Sequence, residues 1–166
     1  GDYTFPRLTL DGRYYKTLHK RVDGTGRWVL GLSSHLGWTG DKTPIFERYY
    51  GGGTQNLRGF EYRQVTPRYL ATGFGVGGNF EFYNSVEFFV PISGGDEFQL
   101  ALFCDTGTVA ESMKKWGRYR VAPGFGLRFS IPMLGPAPLA LDFAFPISKD
   151  PSDVKEVFTF NLSGSR

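Results

Sequence analysis

The 166-residue chain has one cysteine, Cys104, and two histidines, His19 and His35. A single thiol excludes an internal disulfide and any cysteine-based zinc cluster. Two imidazoles exclude most histidine metal sites, so no metal and no cofactor is expected. No apolar run reaches the ~20 residues of a membrane-spanning helix. No signal peptide is visible at Gly1, as expected of a mature product or of a piece cut from a longer protein. Charge of one sign is scarce too: 19 basic against 16 acidic residues give a net charge of +3 and a pI near 9.0. The basic residues are scattered, with no run that could follow a phosphate backbone, and nucleic acid is not an expected partner. Helical periodicity is nearly absent.

What the chain does have is aromatic residues, 17% of the total with 16 Phe and 9 Tyr, and 23 glycines. Aromatic side chains suit a pleated surface and glycine suits turns and tight corners, so the expected class is all-β. The length allows about one domain. Two-residue alternation recurs along the chain. In 79–92, "NFEFYNSVEFFVPI", Phe80, Phe82, Asn84, Val86, Phe88, Val90 and Ile92 share one face, opposite Asn79, Glu81, Tyr83, Ser85, Glu87, Phe89 and Pro91. In 97–107, Phe98, Leu100, Leu102 and Cys104 oppose Glu97, Gln99, Ala101, Phe103 and Asp105. In 119–131, Tyr119, Val121, Phe125, Leu127, Phe129 and Ile131 oppose Arg120, Ala122, Gly124, Gly126, Arg128 and Ser130. Segments 28–38, 139–145 and 158–162 behave alike, and "YTFPRLTLDGRYYKTL" (3–18) does so more weakly. That makes about seven strands, joined by turns such as "DGTG" (23–26), "SGGD" (93–96) and "SKDPSD" (148–153). One long irregular connection, about 40–78, interrupts them; loops of that length are usually functional or disordered.

Alternation fits both a soluble sandwich and a membrane barrel, and the character of the polar face bears on the choice. It mixes Gly, Ala and Ser with isolated charges, as in "RVAPGFGLR" (120–128), where a water-facing strand would carry more Lys, Thr and Glu. A crowded lumen with a few charges fits better, and the apolar face then meets lipid. Trp28 and Trp38 share a face ten residues apart, roughly 33 Å along a strand. At a tilt of ~40° that is ~25 Å of height, the apolar band of an outer-membrane barrel. Two core tryptophans in a sandwich are the alternative.

Three patterns invite chemistry. "GFGVGG" (73–78) has the G-x-G-x-x-G spacing, but a strand follows it where a phosphate site needs a helix, so the glycines are expected to close the loop. Glu87 and Asp105, on the polar faces of adjacent strands, could be the acid and base of a hydrolase. Without a nucleophile–base constellation nearby, the favoured reading is that both accept hydrogen bonds from a lumen cation, for which Arg58 is available. His35, also on a polar face, is expected to be a satisfied lumen residue and not a ligand. The sequon Asn161-Leu162-Ser163 falls in a strand and is expected to carry no sugar.

"FERYYGGGTQNLRGF" (46–60) resembles the inward-folded sixth extracellular loop of the BamA-like outer-membrane assembly factor superfamily, with its R-F-x-x-G-G and V/L-R-G-F/Y signature. "GGNFEFYNSVEFFVPI" (77–92), "LALFCDTGTV" (100–109), "GFGLRFSIPMLGPAPLALDFAFPI" (124–147) and "FTFNLSG" (158–164) are similar to the strands that follow it in that family, in the same order. The resemblance covers roughly 40–165. It implies an antiparallel transmembrane β-barrel, of which residues 1–166 are about seven C-terminal strands out of sixteen, with the long loop folded inward. It implies that Arg58, followed by Gly59 and Phe60, bonds Glu87 and Asp105 inside the barrel. Phe158, Phe160 and Leu162 would belong to the last-strand seam and sorting signal, between a cut edge near 3–18 and a natural edge at 157–163.

By the same resemblance the protein is not an enzyme. It is expected to be an insertase for other barrel proteins in the outer membrane, Gram-negative bacterial or, alternatively, organellar. Its partners would be the lipid bilayer, nascent outer-membrane β-barrel proteins and accessory assembly lipoproteins. A secretion pore or a lipase-linked barrel of the same superfamily is the second reading, and a soluble β-barrel binding an apolar ligand the third. The family ends in an aromatic residue where this chain ends in Arg166, and it carries POTRA repeats on its N-terminal side, of which no counterpart is seen in this sequence.

Overall fold

A computed structural model of the protein describes residues 4–130 and 139–162. Seven antiparallel strands form one meander sheet: β1 (Arg7–His19), β2 (Trp28–Thr39), β4 (Phe80–Pro91), β5 (Phe98–Ala110), β6 (Arg120–Phe129), β7 (Leu139–Ala144) and β9 (Phe158–Asn161), each beside its neighbour in that order. Two elements escape the alternation rule because they are too short to alternate. They are β3 (Gly59–Phe60) and β8 (Lys155–Glu156), which pair with each other. A single 3-10 turn spans Ile45–Glu47. The stretch Ile131 to Pro138 and Ser163 lie outside the described residues. Leu162 lies just past the end of β9, because the β7–β9 ladder stops at the pair Ala140–Asn161.

Burial settles which face is inside. Along β4, Glu81, Tyr83, Ser85 and Glu87 are buried while Val86 is 47% exposed; along β5, Ala101, Phe103 and Asp105 are buried while Leu102 is 46% exposed. Phe125, Phe143, Phe158 and Phe160 are exposed as well. From β4 to β7 the polar face is therefore covered and the apolar face largely bare, the reverse of a soluble sheet and the arrangement of a wall between lumen and lipid, while β1 at the edge is exposed on both faces. Trp28 and Trp38 both stand on the bare face. Trp28 packs edge-on to Phe88 at 5.9 Å, and Trp38 sits directly opposite Phe80.

The inner wall is shaped by small residues placed opposite large ones. Phe103 pairs with Gly124 and Asp142 with Gly126, and a Cβ at either glycine would overlap that side chain. Each large group thus lies flat over the neighbouring strand.

The long connection 40–79 covers this inner wall. It is tied to itself by the bridges Tyr49–Gly78, Gly51–Val65, Gly53–Leu57 and Arg68–Gly75. Its Leu57, Phe60 and Val65 are fully buried against Tyr83, Val109 and Ala122 of the wall, and these residues form the hydrophobic core. Of "GFGVGG", Gly73 and Gly77 take φ of 72° and 70°, and β4 follows within three residues. Long connections (40–79, 111–119 and 145–157) gather at one end of the sheet. The turns at 20–27 and 92–97 lie at the other, so the long-loop end faces outward from the cell in an outer-membrane barrel. At the turn end Thr25 donates its amide and hydroxyl to Asp23, and these bonds hold the Asp23 carboxyl below its ordinary pKa.

The inversion is testable with the full-length protein in lipid vesicles. Leu102→Arg, on the bare face, is expected to lower unfolding stability by ~2–4 kcal/mol, as for an arginine facing the bilayer midplane. Gln99→Arg, on the inner wall near the turn end, should change it by less than about 1 kcal/mol. Denaturant unfolding that ranks them the other way would contradict the assignment.

Candidate functional site

The loop delivers Arg58 to the inner wall through a tight reversal. Gly52 and Gly53 have φ of 105° and 91°, and Gly52 N donates to Asn56 Oδ1 at 2.9 Å, which closes the turn over Thr54 to Asn56. Gly53 N then donates to Phe60 O at 2.7 Å, so the chain returns alongside itself. Arg58 lies on this return limb. Gly59 follows at φ 90°, and a Cβ there would also press on Ala144 and Pro146 at 3.1 Å. Both conditions demand glycine after the arginine. Next, Phe60 anchors the limb in the core.

The Arg58 side chain is 2% exposed and is surrounded by three carboxylates. Its Nε and Nη2 donate to the two oxygens of Asp105, each at 2.8 Å, a fork-to-fork pair. Nη1 lies 2.8 Å from Glu87 Oε1 and 3.4 Å from Asp142 Oδ2, and Nη2 also reaches Ser85 Oγ at 3.4 Å. Of the five N–H donors of a guanidinium, four are hydrogen-bonded to Asp105, Asp142 and Ser85, and the Nη1 approach to Glu87 adds an ion pair. The Arg58 backbone N–H donates to Asp105 Oδ2 at 3.1 Å, and Ser85 Oγ donates to Asp105 Oδ1 at 2.6 Å. Phe103 lies flat beneath the guanidinium, 3.5 Å from its central carbon. That is the cation–π contact a planar, weakly hydrated cation favours.

A second cation completes the cluster. Arg128 donates from Nη1 to Asp142 Oδ1 at 2.6 Å and from Nη2 to Asp142 Oδ2 at 3.2 Å, and it lies 3.9 Å from Glu87. Two guanidinium groups and three carboxylates from β4, β5, β6, β7 and the loop thus share one buried network. Alternation had already put Arg128 and Asp142 on the polar face, but parity alone does not say which charges meet across the sheet. The structure brings Glu87 and Asp105 together at Arg58, Asp105 through both oxygens and Glu87 through Oε1.

Two further contacts fix the loops around this centre. Arg120 forks onto Asp153 with both distances 2.9 Å, at 5% and 0% side-chain exposure, which ties β6 to the last long loop. Within that loop Asp150 accepts from Ser152 N and Oγ, and the backbone bond holds its carboxyl below the ordinary range. His35 sits between Asp11 of β1 and Glu81 of β4, at 2.7 and 3.0 Å, and so links three strands across the lumen side. Beside the turn at Thr54 to Asn56 lies a cavity of about 480 Å³ whose wall includes His35, Thr54, Gln55, Asn56, Ser85 and Asn161. No group of three or more metal-type ligands occurs among the described residues.

The residues expected at a last-strand seam lie elsewhere. Phe158 and Phe160 stand on the bare outer face, 50% and 54% exposed, with Thr159 turned inward. Phe158 packs on Phe143 at 5.1 Å, and Leu162 is 63% exposed beyond the strand. Among the described residues, only the sheet itself connects them to the Arg58 cluster.

Comparison with known proteins places this geometry. The model of the Omp85 superfamily domain matches residues 1–165. The outer membrane protein assembly factor BamA of Neisseria meningitidis serogroup B is 30% identical over 187 aligned positions, covering 90% of this chain and 24% of that protein. The crystal structure of Haemophilus ducreyi BamA lacking POTRA domains 1–3 superposes with a TM-score of 0.79 at 24% identity, covering 96% of this chain and 35% of that one. The chain therefore spans about a quarter to a third of the relatives it matches.

Removing one partner from a buried charge network leaves the others unpaired, and Arg58→Ala is expected to cost ~3–5 kcal/mol in the full-length barrel. Arg58→Lys should not restore it, because an ammonium has three donors and no planar fork. Thermal unfolding read by heat-dependent gel mobility checks both; a lysine variant as heat-resistant as the parent would contradict the geometry.

Proposed function

Because the chain belongs to the Omp85 superfamily, we propose that the full-length protein is an outer-membrane barrel that inserts and assembles other β-barrel proteins. This segment would supply the loop-locked part of its wall. The observation that carries the reading is the inward loop docked by Arg58, found in a chain related over 90% of its length to a protein named as an outer membrane protein assembly factor. That relationship favours assembly over the secretion-pore and lipase-linked readings.

In this reading the two edges of the sheet differ in kind. Among the described residues β9 is held to β7 through four residue pairs, Ala140–Asn161 to Phe143–Phe158, whereas β1, at the other edge, pairs with β2 from Arg7–Thr39 to His19–Trp28. Strand exchange is easiest where fewest ladder bonds must break, so the β9 side opens and its edge pairs with an incoming strand by β-augmentation. The Arg58 network holds β4 to β7 in fixed relation while that edge moves. The work is done by pairing energy and wall stiffness, without a catalytic step, and both candidate carboxylates serve as guanidinium acceptors. Nascent outer-membrane proteins and the bilayer are the partners, with accessory assembly lipoproteins as further ones.

The test is folding of a urea-unfolded outer-membrane barrel on liposomes that contain the full-length protein. Folding several-fold faster than on empty liposomes is expected, with Arg58→Ala losing activity and heat resistance together. No acceleration by the parent protein would overturn the function. Full activity in a heat-labile Arg58→Ala variant would overturn the role given to the network.

A further inference from the structure

The connection between β5 and β6, "ESMKKWGRY" (111–119), takes no part in the Arg58 network. All its residues are exposed except the half-buried Ser112. Rather than standing clear of the barrel, it folds down over the outer wall. The Trp116 ring lies 5.3 Å from Phe80 and 6.1 Å from Phe82, and Phe82 belongs to the outward row of β4. Phe80, of the same row, is left 1% exposed, while Trp116 itself remains 55% exposed. The indole Nε1 donates to Met113 O at 2.8 Å, so its polar edge is satisfied within the hairpin. A second attachment engages two polar residues of the outer wall. Asn84 and Thr106 are directly paired across β4 and β5, and the Tyr119 hydroxyl lies 3.0 Å from Asn84 Nδ2 and 3.0 Å from Thr106 Oγ1.

The hairpin is also basic. It carries Lys114, Lys115 and Arg118 against one acid, Glu111, which pairs with Lys115 at 3.2 Å. Lys115 and Arg118 border a cavity of about 550 Å³ that separates the hairpin from the tip of the long loop. Arg68 lines the same cavity, and its Nε is buried without a hydrogen-bond partner. The acids on that wall are Glu111 and Asp150. Exposed Met113 and Trp116 beside this surplus of cations, at the long-loop rim of a lipid-facing wall, form the composition that settles at a membrane–water boundary. Aromatic rings sit at headgroup level and cations attract anionic lipid.

We propose that the hairpin 111–119 is a docking site for phosphate-bearing anionic lipid headgroups of the outer leaflet. Trp116 and Met113 enter the boundary between headgroups and acyl chains beside Phe82. Lys114, Lys115 and Arg118 draw phosphates to the rim and to the adjoining cavity. The inference rests on the lipid-facing outer wall and not on the assembly reading, so either can fail alone.

The test uses full-length protein in phosphatidylcholine vesicles carrying a minor fraction of a brominated lipid, either phosphatidylglycerol or phosphatidylcholine. The Trp116 signal is taken as the difference from Trp116→Phe. Brominated phosphatidylglycerol is expected to quench it as though enriched roughly fivefold around the hairpin, the gain for one cation at a charged surface. That preference should vanish in Lys114→Gln/Lys115→Gln/Arg118→Gln and weaken in Lys114→Gln alone, with the parent's heat resistance kept. Equal quenching by the two lipids would overturn the proposal, as would a preference that survives in the triple variant. So would the lack of quenching by either lipid, which is the result expected if a protein partner or a second copy covers the hairpin.

Discussion

The Arg58 guanidinium lies at 2% exposure with its donors directed at Asp105, Glu87, Asp142 and Ser85, and most other features of the inner wall follow from keeping it there. A buried charge survives only when paired and fully hydrogen-bonded. Asp105 must therefore be wholly enclosed, Ser85 must orient its carboxylate, and Arg128 must neutralise what Asp142 has left over. Phe103 lies flat under the cation, and Gly124 leaves the floor it needs. Gly59 follows the arginine because a φ of 90° disfavours a side chain and a Cβ there would press on Ala144 and Pro146 at 3.1 Å.

The hydrophobic core has an unusual location for the same reason. In a soluble sheet the apolar faces of the strands make the core, but here those faces are bare. The core cluster instead joins the loop to the wall: Leu57, Phe60 and Val65 against Tyr83, Val109 and Ala122. Leu57 and Phe60 flank the Arg58–Gly59 step, so the charge network and the apolar packing position the same short limb. Dispersion and burial hold the limb down, and the network fixes where along the wall it sits. The Arg120–Asp153 fork does a similar service for the last long loop, which pairs with the limb through β8.

Most of the sheet was legible in the sequence, since period-two alternation depends on local geometry alone. Seven segments read as strands are the seven strands, and the surplus of Gly, Ala and Ser on the polar face pointed to a covered lumen wall. Three features were not legible. The pair β3–β8 joins residues about a hundred positions apart and is too short to show a period. Arg128 and Asp142 were visible as polar-face charges, but their meeting with Arg58 depends on sheet register and loop depth, which no local pattern encodes. The Tyr119 hydroxyl between Asn84 and Thr106 brings a loop residue to two strands, a contact that likewise has no local pattern. The reach of the loop into the lumen came from resemblance in its motif, not from the chemistry of any one residue.

Amide hydrogen exchange of the long loop in the full-length protein, in lipid nanodiscs, tests the central claim most directly. The Arg58 amide donates to Asp105 and the Gly53 amide to Phe60 O, both beneath the loop. A docked limb predicts protection at Gly53, Leu57 and Arg58 comparable to that of β4 and β5, and fast exchange at Leu70 and Ala71 in the exposed tip. Exchange at Arg58 as fast as at the tip would mean that the loop is not held in the lumen, and the account of the network would fail.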